Sequence, residues 1–595
     1  MSGIKRHIAV DAQKQPLLEL LPPPRSPHRS RALQMRRWVS QPLIVYRGPR
    51  AFRFRRSRTP MPTFAAVDIG SNSCRLKIAR VIAHQLRTVH EDREVTRLGA
   101  SVFESGLVSP EAMANTIQAL KRFQRAVQTH SVDKIRVVAT AAMREARNAA
   151  AFQAWVKAET GWTMEIISGL EEGRLIHLGV MAEPVSGRPG KLSPRRPARL
   201  LLVDVGGGSC EITISDKKRI QETISLPLGA VRLTQEFLTD DPPSSEGLAR
   251  MRRWIARELR RAHRKIKPLG VSWMIGTSGT AAALAEACAL VGKLSAQRNG
   301  KSAKKGVAGS SLVPSLGAPV AAKDIRKLAH KLAKMTLAER EAVAGIGPRR
   351  AEIIVAGAEV FAEFLESFSL PGFRYSPLGL RDGILSQMLA EQDARAQAHR
   401  EFERQRWESV LATARRYGVD LRQAEPVRAH ALQLFRDLKP LHQLPAEYEN
   451  WLEAAALLRD TGKFINHQGH HRHTQYIVSS SEIYGYTPVQ RTIVSAIARY
   501  MGKSRPQPGD RPLRNIPAEE HAHVHRAVVL LRLAVALNQD RASDVLRVKA
   551  RVYPKRIYLD VEPGRTGAEL ELWSLRKESA YFREVFGREL FATLA

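Results

Sequence analysis

A strand-to-turn unit occurs twice in this chain, and it constrains the fold more than any bulk property. The first copy is Phe64-Ala-Ala-Val-Asp68-Ile-Gly70-Ser71-Asn72-Ser73-Cys74-Arg75-Leu76. The second is Leu200-Leu-Leu-Val-Asp204-Val-Gly206-Gly207-Gly208-Ser209-Cys210-Glu211-Ile212. In each, a short apolar run reads as a buried strand. It stops at an acid, then turns through glycine and small hydroxyl residues. Two matched copies predict two related domains facing one site.

The residue types favour a phosphate ligand. Glycine lets the backbone approach a ligand closely. Successive N–H groups in such a turn form an anion-binding concavity. Ser71, Asn72, Ser73 and Ser209 add side-chain donors. Asp68 and Asp204, at the strand ends, can orient a hydrated Mg²⁺. The alternative is a pair of ordinary hairpin or strand-to-helix turns.

A length of 595 residues predicts three or four domains. No run of 18 uncharged apolar residues occurs, so no membrane span is expected. Cys74, Cys210 and Cys288 give no disulfide framework and suit a reducing cytoplasm. The net charge of +36 calls for a polyanionic partner. Residues 1–60 hold fourteen Lys and Arg against two acids, which leaves +24 on the remainder, so the body is basic too. That first segment, rich in Arg and Pro, is expected to be a disordered extension or a start-site artefact ahead of Met61. A transit peptide or a nucleic-acid-binding arm are the alternatives.

Residues 61–190 are expected to form one α/β domain. Ser109-Pro110 reads as an N-cap followed by proline at the first helical position. Met113, Ile117, Leu120, Phe123 and Val127 then share one helix face. Ile135–Thr140 reads as a strand, with Ala141-Ala-Met-Arg144-Glu145 opening a helix. Residues 186–198 read as a linker. Residues 191–394 form a second α/β domain with a mobile insertion at 295–320. Its helix near 250–267 carries a basic stripe of Arg253, Arg257, Arg260, Arg264 and Lys267, which is more often a solvated face than a polyanion guide. Gly276-Thr277-Ser278-Gly279 reads as a third glycine turn. Thr336-Leu-Ala-Glu339 fits a capping box, and Pro348 is expected to start one long helix. Residues 395–545 are mostly helical. Residues 546–595 read as a small α+β unit.

These residues resemble the exopolyphosphatase / guanosine pentaphosphate phosphohydrolase family. The resemblance covers about 64–545. It rests on Asp68–Ser73, on Asp204–Glu211, and on the acidic segment Ser168-Gly169-Leu-Glu171-Glu172. Gly276–Gly279 and Gly379-Leu380-Arg381-Asp382-Gly383 add to it. The fold it implies is a duplicated actin-like (ribonuclease H-like) α/β pair, followed by an α-helical HD-like domain and a small C-terminal unit. It implies Glu172 as the catalytic acid or base, and Arg144 on the phosphate being removed. Glu211 would hold water or metal with Asp204, and Asp68 is expected beside the metal. Gly70–Ser73 and Gly206–Ser209 would cradle terminal phosphates, with Gly276, Thr277, Ser278 and Gly279 in support. The implied cofactor is Mg²⁺ or Mn²⁺, the implied substrate inorganic polyphosphate or guanosine pentaphosphate, and the expected assembly a homodimer. Cys74 stands where the family usually has an aromatic residue, and Cys210 where it usually has threonine.

Hydrolysis of a phosphoanhydride needs an in-line water, a group to position it, and cations to spread charge over the equatorial oxygens. Glu172 suits the base and Arg144 the planar phosphate fork. No Walker A lysine motif occurs. Arg459-Asp460 stands where an HD hydrolase would carry His-Asp, so the His467–His473 run is read as a cluster without metal. Cys74 and Cys210 are read as small apolar substitutions, with a redox pair as the alternative. A silent polyphosphate sensor and a basic nucleic-acid binder remain as other classes, the latter without a recognisable reader motif.

Overall fold

The computed structural model describes residues 62–182, 199–216, 219–266, 269–298, 319–502, 504–539, 545–564 and 567–595. The expected extension 1–60, the linker 186–198 and most of the insertion 295–320 lie outside the described residues.

The first half is built on β1 (Thr63–Ile69), β2 (Ser73–Ile82), β3 (Gln85–Val95), β4 (Lys134–Ala139) and β5 (Met164–Ile166), in the order β3-β2-β1-β4-β5. The second is built on β6 (Arg199–Val205), β7 (Cys210–Asp216), β8 (Arg219–Leu226), β9 (Val271–Thr277), β10 (Val320–Ala321) and β11 (Gly372–Tyr375), in the order β10-β11-β9-β6-β7-β8. The two orders match. In each half an antiparallel hairpin leads the sheet, its first strand is joined in parallel by β4 or β9, and β5 or β11 follows in parallel; β10 adds an antiparallel edge to the second sheet. The apolar runs at 64–67 and 200–203 are buried, as continuous hydrophobic strands covered on both faces should be.

Local signals set several helices. Ser109 accepts from the Ala112 N–H and starts α1 (Pro110–Thr129), whose Met113, Ile117, Leu120 and Phe123 are buried. The short helix α2 (Ala141–Glu145) follows β4 directly. Ser168 caps α3 (Gly169–Met181) by accepting from the Glu171 N–H. In the second half, α4 (Ala230–Phe237) and α5 (Ser245–Ile266) follow β8. The capping box at Thr336 and Glu339 is formed. The long helix expected from Pro348 is broken. A single turn, Pro348–Ala351, precedes α6 (Ile354–Ser367), and Glu352 and Ile353 lie between them.

Two helices exchange halves. The helix α3 leaves the first half and lies against β7 and β8 of the second. The helix α7 (Leu380–Gln392) returns from the second half and packs on β1, β2 and β3 of the first. Ile384, Leu385 and Met388 share a core there with Phe64, Ala66 and Leu175. The two helices cross where a Cβ on Gly383 would run into the Leu175 carbonyl and one on Gly179 into the Gly379 carbonyl. Gly169 and Gly173 play the same part against Ser225 and Thr223 of β8. This is why the acidic segment Ser168–Glu172 ends with Glu172 against the other half's sheet.

Helices between Gln397 and Ala536 form the third region. The strands β12 (Val548–Val552), β13 (Arg556–Val561) and β14 (Glu589–Leu594) form a small sheet. One continuous core runs from Val410 to Ala592 and includes residues of both. No described helix is long and apolar enough to cross a membrane.

Candidate active site

The repeated units are hairpin turns with the same closure. Gly70 N–H donates to the Ser73 carbonyl at 3.2 Å, and Gly206 N–H to the Ser209 carbonyl at 3.0 Å. The two turns meet face to face. A Cβ on Gly207 would lie 3.0 Å from Ser71 Cβ and 3.1 Å from the Asn72 nitrogen. Glycine is required here because backbone of one half approaches backbone of the other.

Neighbouring segments claim the turn carbonyls. In the first half, Gly99 N–H bonds the Ser71 carbonyl at 2.7 Å, and Thr96 and Arg97 N–H bond that of Asn72. In the second, Ala230 N–H bonds the Gly206 carbonyl and Val231 N–H that of Gly207, both at 2.9 Å. In a trans peptide the N–H points opposite to the C=O. Carbonyls drawn outward therefore leave N–H groups facing inward, the arrangement an anion needs. Gly207, Gly208 and Ser209 N–H donate to nothing among the described residues.

Both turns line a cavity of about 580 Å³ between the halves. Glu172, Asp68 and Asp204 face it. Arg144 binds several parts together. Its Nη1 donates to Glu172 Oε2 at 2.8 Å and to the Ile167 carbonyl at 3.0 Å, and its Nη2 donates to Ser209 Oγ at 3.2 Å. Glu211 Oε1 lies 3.9 Å from Nη2 and accepts from Ser225 Oγ at 2.8 Å. Burial, together with the charge of Glu211, raises the proton affinity of the Glu172 carboxyl well above the usual range. Burial raises Glu211 as well, against the pull of Arg144. Ser168 supplies the helix cap, so the Glu172 side chain is free for the cleft.

The expected metal set does not form one cluster. Among the described residues no three His, Cys, Asp or Glu side chains stand together as ligands. Glu211 is almost fully buried behind Arg144, with its Oε2 unpartnered. Asp68 and Asp204 line the cavity from opposite halves. Thr277 Oγ1 donates to Asp204 Oδ2 at 2.6 Å, and Asp68 makes no side-chain hydrogen bond among the described residues. Two carboxylates with free lone pairs fit a hydrated Mg²⁺, which keeps waters and takes few protein ligands.

The third turn departs from expectation. Gly276 lies inside β9, packed against Phe361, Phe373 and Ala281, away from the cavity. Thr277 is fully buried and serves Asp204. Only Ser278 and Gly279 reach the cavity wall. The strand passes directly into a helix here, with no separate loop to cradle an anion.

Five arginines absent from the expected set converge on the same cavity: Arg75, Arg93, Arg349, Arg350 and Arg381. Arg93 Nε and Nη2 and Arg350 Nη2 are buried without hydrogen-bond partners. Burial, with the Arg75 charge beside each, pulls the Arg93, Arg350 and Arg381 guanidiniums below their ordinary range. The acids Glu91 and Asp382 on this wall are engaged by Lys77, at 2.9 and 2.6 Å, and Asp92 by Arg122 at 2.8 Å. Unpartnered buried guanidinium donors are costly, and an anion with several oxygens satisfies them. Arg75 and Arg381 lie within the motif segments 64–76 and 379–383, but in a chain with 94 Lys and Arg no local signal groups these five.

Residues 77–392, more than half of the chain, match the model of the family described as Ppx/GppA phosphatase. Residues 405–579 match that of Ppx/GppA phosphatase, domain III. The chain belongs to the Ppx/GppA phosphatase family. Among solved structures it is similar to an exopolyphosphatase from Cytophaga hutchinsonii, with 25% identity over 55% of this chain and 98% of that one, at a TM-score of 0.48. It is similar to the Aquifex aeolicus PPX-GPPA enzyme, with 31% identity over 55% of this chain and 99% of that one, at a TM-score of 0.42. An exopolyphosphatase-like protein matches with 30% identity over 54% and 96%, at 0.46. Family membership makes this chain a phosphatase, and within it Glu172, Arg144 and the two turns stand together at the junction of the halves.

Proposed function

We propose that this Ppx/GppA phosphatase removes the terminal phosphate of inorganic polyphosphate by hydrolysis. The observation that carries the proposal is the run of five arginines in the same cavity as the paired turns and Glu172. One departing phosphate needs the turns and Arg144; a chain of phosphates behind it needs further cations. Guanosine pentaphosphate is the second reading. It is favoured by Tyr375, a half-buried aromatic residue among these arginines that offers a nucleotide a surface.

Glu172 Oε2 is held by Arg144, which leaves Oε1 to accept a proton from water. As the water oxygen bonds to the terminal phosphorus, the anhydride oxygen leaves with the shortened chain. The proton taken by Glu172 passes on to the products. Arg144 and the inward N–H groups of Gly207, Gly208 and Ser209 stabilise charge on the equatorial oxygens. A Mg²⁺ or Mn²⁺ held by Asp68 and Asp204 with phosphate oxygens would neutralise further charge there. In the helical region, Arg459 Nη2 lies 3.4 Å from Asp460, with Lys463 Nζ 3.0 Å from the same carboxylate. We read that region as an HD-like relative whose acid is paired to protein cations.

The test is phosphate release from long-chain polyphosphate and from guanosine pentaphosphate, by wild type and Glu172→Gln. Loss of the general base lowers kcat by ~10²–10⁴-fold. EDTA is expected to abolish the activity and Mg²⁺ to restore it. A wild-type rate in Glu172→Gln overturns the mechanism, and release from guanosine pentaphosphate alone overturns the substrate.

A further inference from the structure

Three consecutive carbonyls of the second turn point at the start of α4, and they are not held alike. Ala230 N–H holds that of Gly206; Val231 and Arg232 N–H hold that of Gly207, at 2.9 and 3.1 Å. The Gly208 carbonyl is held by a side chain, Arg232 Nε, at 2.9 Å. That carbonyl belongs to the peptide whose N–H is Ser209's, the last inward donor of the turn. Turning such a plane over changes ψ of Gly208, which glycine accepts at little cost, and φ of Ser209. If the plane turned over, it would present a carbonyl to the phosphate in place of an N–H.

The same guanidinium reaches the opposite half. Its Nη2 donates to the Glu145 carboxylate, and its Cζ lies 4.1 Å from the centre of the Phe103 ring. Glu145 adjoins Arg144 on α2, and the Arg232 side chain is only 14% exposed. A Cβ on Gly229 would overlap Gly207 and Gly208, so the start of α4 sits directly on the turn.

We propose that Arg232 is a positioning residue for phosphoryl transfer: it fixes the Gly208–Ser209 peptide with its N–H toward the phosphate and ties that turn to Glu145 and Phe103 of the other half. This inference rests on the phosphohydrolase reading above. Arginine is needed because one planar fork must serve a carbonyl, a carboxylate and an aromatic face together, which an ammonium group does not do.

Steady-state kinetics on polyphosphate test it, with Arg232→Ala, Arg232→Lys and added guanidinium at millimolar concentration. We expect kcat/KM of Arg232→Ala to fall ~10²-fold, mainly in kcat, since inward N–H donors matter most where charge builds in the transition state. Guanidinium is expected to recover part of the loss in Arg232→Ala, and the lysine variant to remain impaired. A structural defect would not be rescued by a denaturing cation. Wild-type kcat and KM in Arg232→Ala, or a loss that guanidinium does not relieve, overturns the inference. A wild type that binds inorganic tripolyphosphate but hydrolyses no phosphoanhydride overturns the functional reading alone. In that case weaker tripolyphosphate binding by Arg232→Ala supports the inference, and equal binding overturns it.

Discussion

Arg75 and Glu211 occupy the same place in the two halves of the molecule. Each stands directly across the hairpin from the aspartate near the end of its half's first strand, Arg75 opposite Asp68 and Glu211 opposite Asp204. The duplication thus supplies one frame and fills its equivalent position with opposite charges. One half contributes a cation to the cavity between the halves; the other contributes an acid beneath Arg144.

Arg75→Gln should raise KM for polyphosphate by ~10-fold or more, because a hydrogen bond to a charged group contributes about 1.5–3 kcal/mol. Arg75→Glu should raise it further by placing a second carboxylate opposite Asp68. Steady-state kinetics at fixed ionic strength measure both. A KM unchanged in Arg75→Glu would remove Arg75 from the binding surface.

The raised proton affinities of Glu172 and Glu211 act on activity and stability with opposite sign. The proposed mechanism needs an ionised Glu172, so the acid limb of kcat should lie above the ordinary carboxylate range. For stability, a folded-state carboxyl raised by burial holds its proton at pH values where the unfolded chain has released it. Stability then falls as pH rises through that window. Glu211→Gln should therefore stabilise the fold most at alkaline pH, by on the order of 1 kcal/mol, seen as a higher thermal midpoint there. The gain should vanish below the unfolded carboxylate range. Thermal melts across pH 4–9 in about one-unit steps read this directly. A variant less stable than wild type at the alkaline end would show that ionised Glu211 is a net stabiliser.

Gly383→Ala should destabilise by ~1–3 kcal/mol or more, because the new methyl meets the Leu175 carbonyl rather than a flexible side chain. Activity should fall in the folded fraction as well, since Leu175 lies on the helix that carries Glu172. Circular-dichroism melts paired with phosphate release separate the two effects. Full stability in the variant would show that the crossing has room.

The cysteines of the two turns should be inert in the native protein. Cys74 and Cys210 are fully buried, belong to separate hydrophobic cores, and have thiols held protonated by burial and neighbouring acids. A redox pair across the cleft is therefore not the role of these positions. Diamide should leave activity unchanged. Native titration with a thiol reagent should reach Cys288 first, though burial pushes it up to about 11. Loss of activity on diamide treatment, reversed by a reductant, would overturn this.

What the sequence made legible was local. Asp68–Ser73 and Asp204–Ser209 carry their turns in adjacent residues, and Ser109 and Thr336 carry their helix caps within one turn. Of the five arginines of the cavity, Arg75 and Arg381 lie within segments the sequence marked, but nothing local marked them as partners of one another or of Arg93, Arg349 and Arg350. Arg75, Arg93, Arg349, Arg350 and Arg381 come from four separate stretches of chain, and only folding brings them together. Gly276 misled for the opposite reason. Its neighbours have the composition of a phosphate turn, but the strand continues through Thr277, and packing against Phe361 and Phe373 uses the glycine.

The sequence by itself determined two like α/β halves and their turns, because each rests on hydrogen bonds and burial patterns spanning a few residues. Tertiary structure alone decided that α3 and α7 exchange halves, that Gly207 lies against Ser71, and that Arg144 joins Glu172 to Ser209. Those relations depend on close approach between segments far apart in the chain. Glycine permits such an approach, but it does not name the partner.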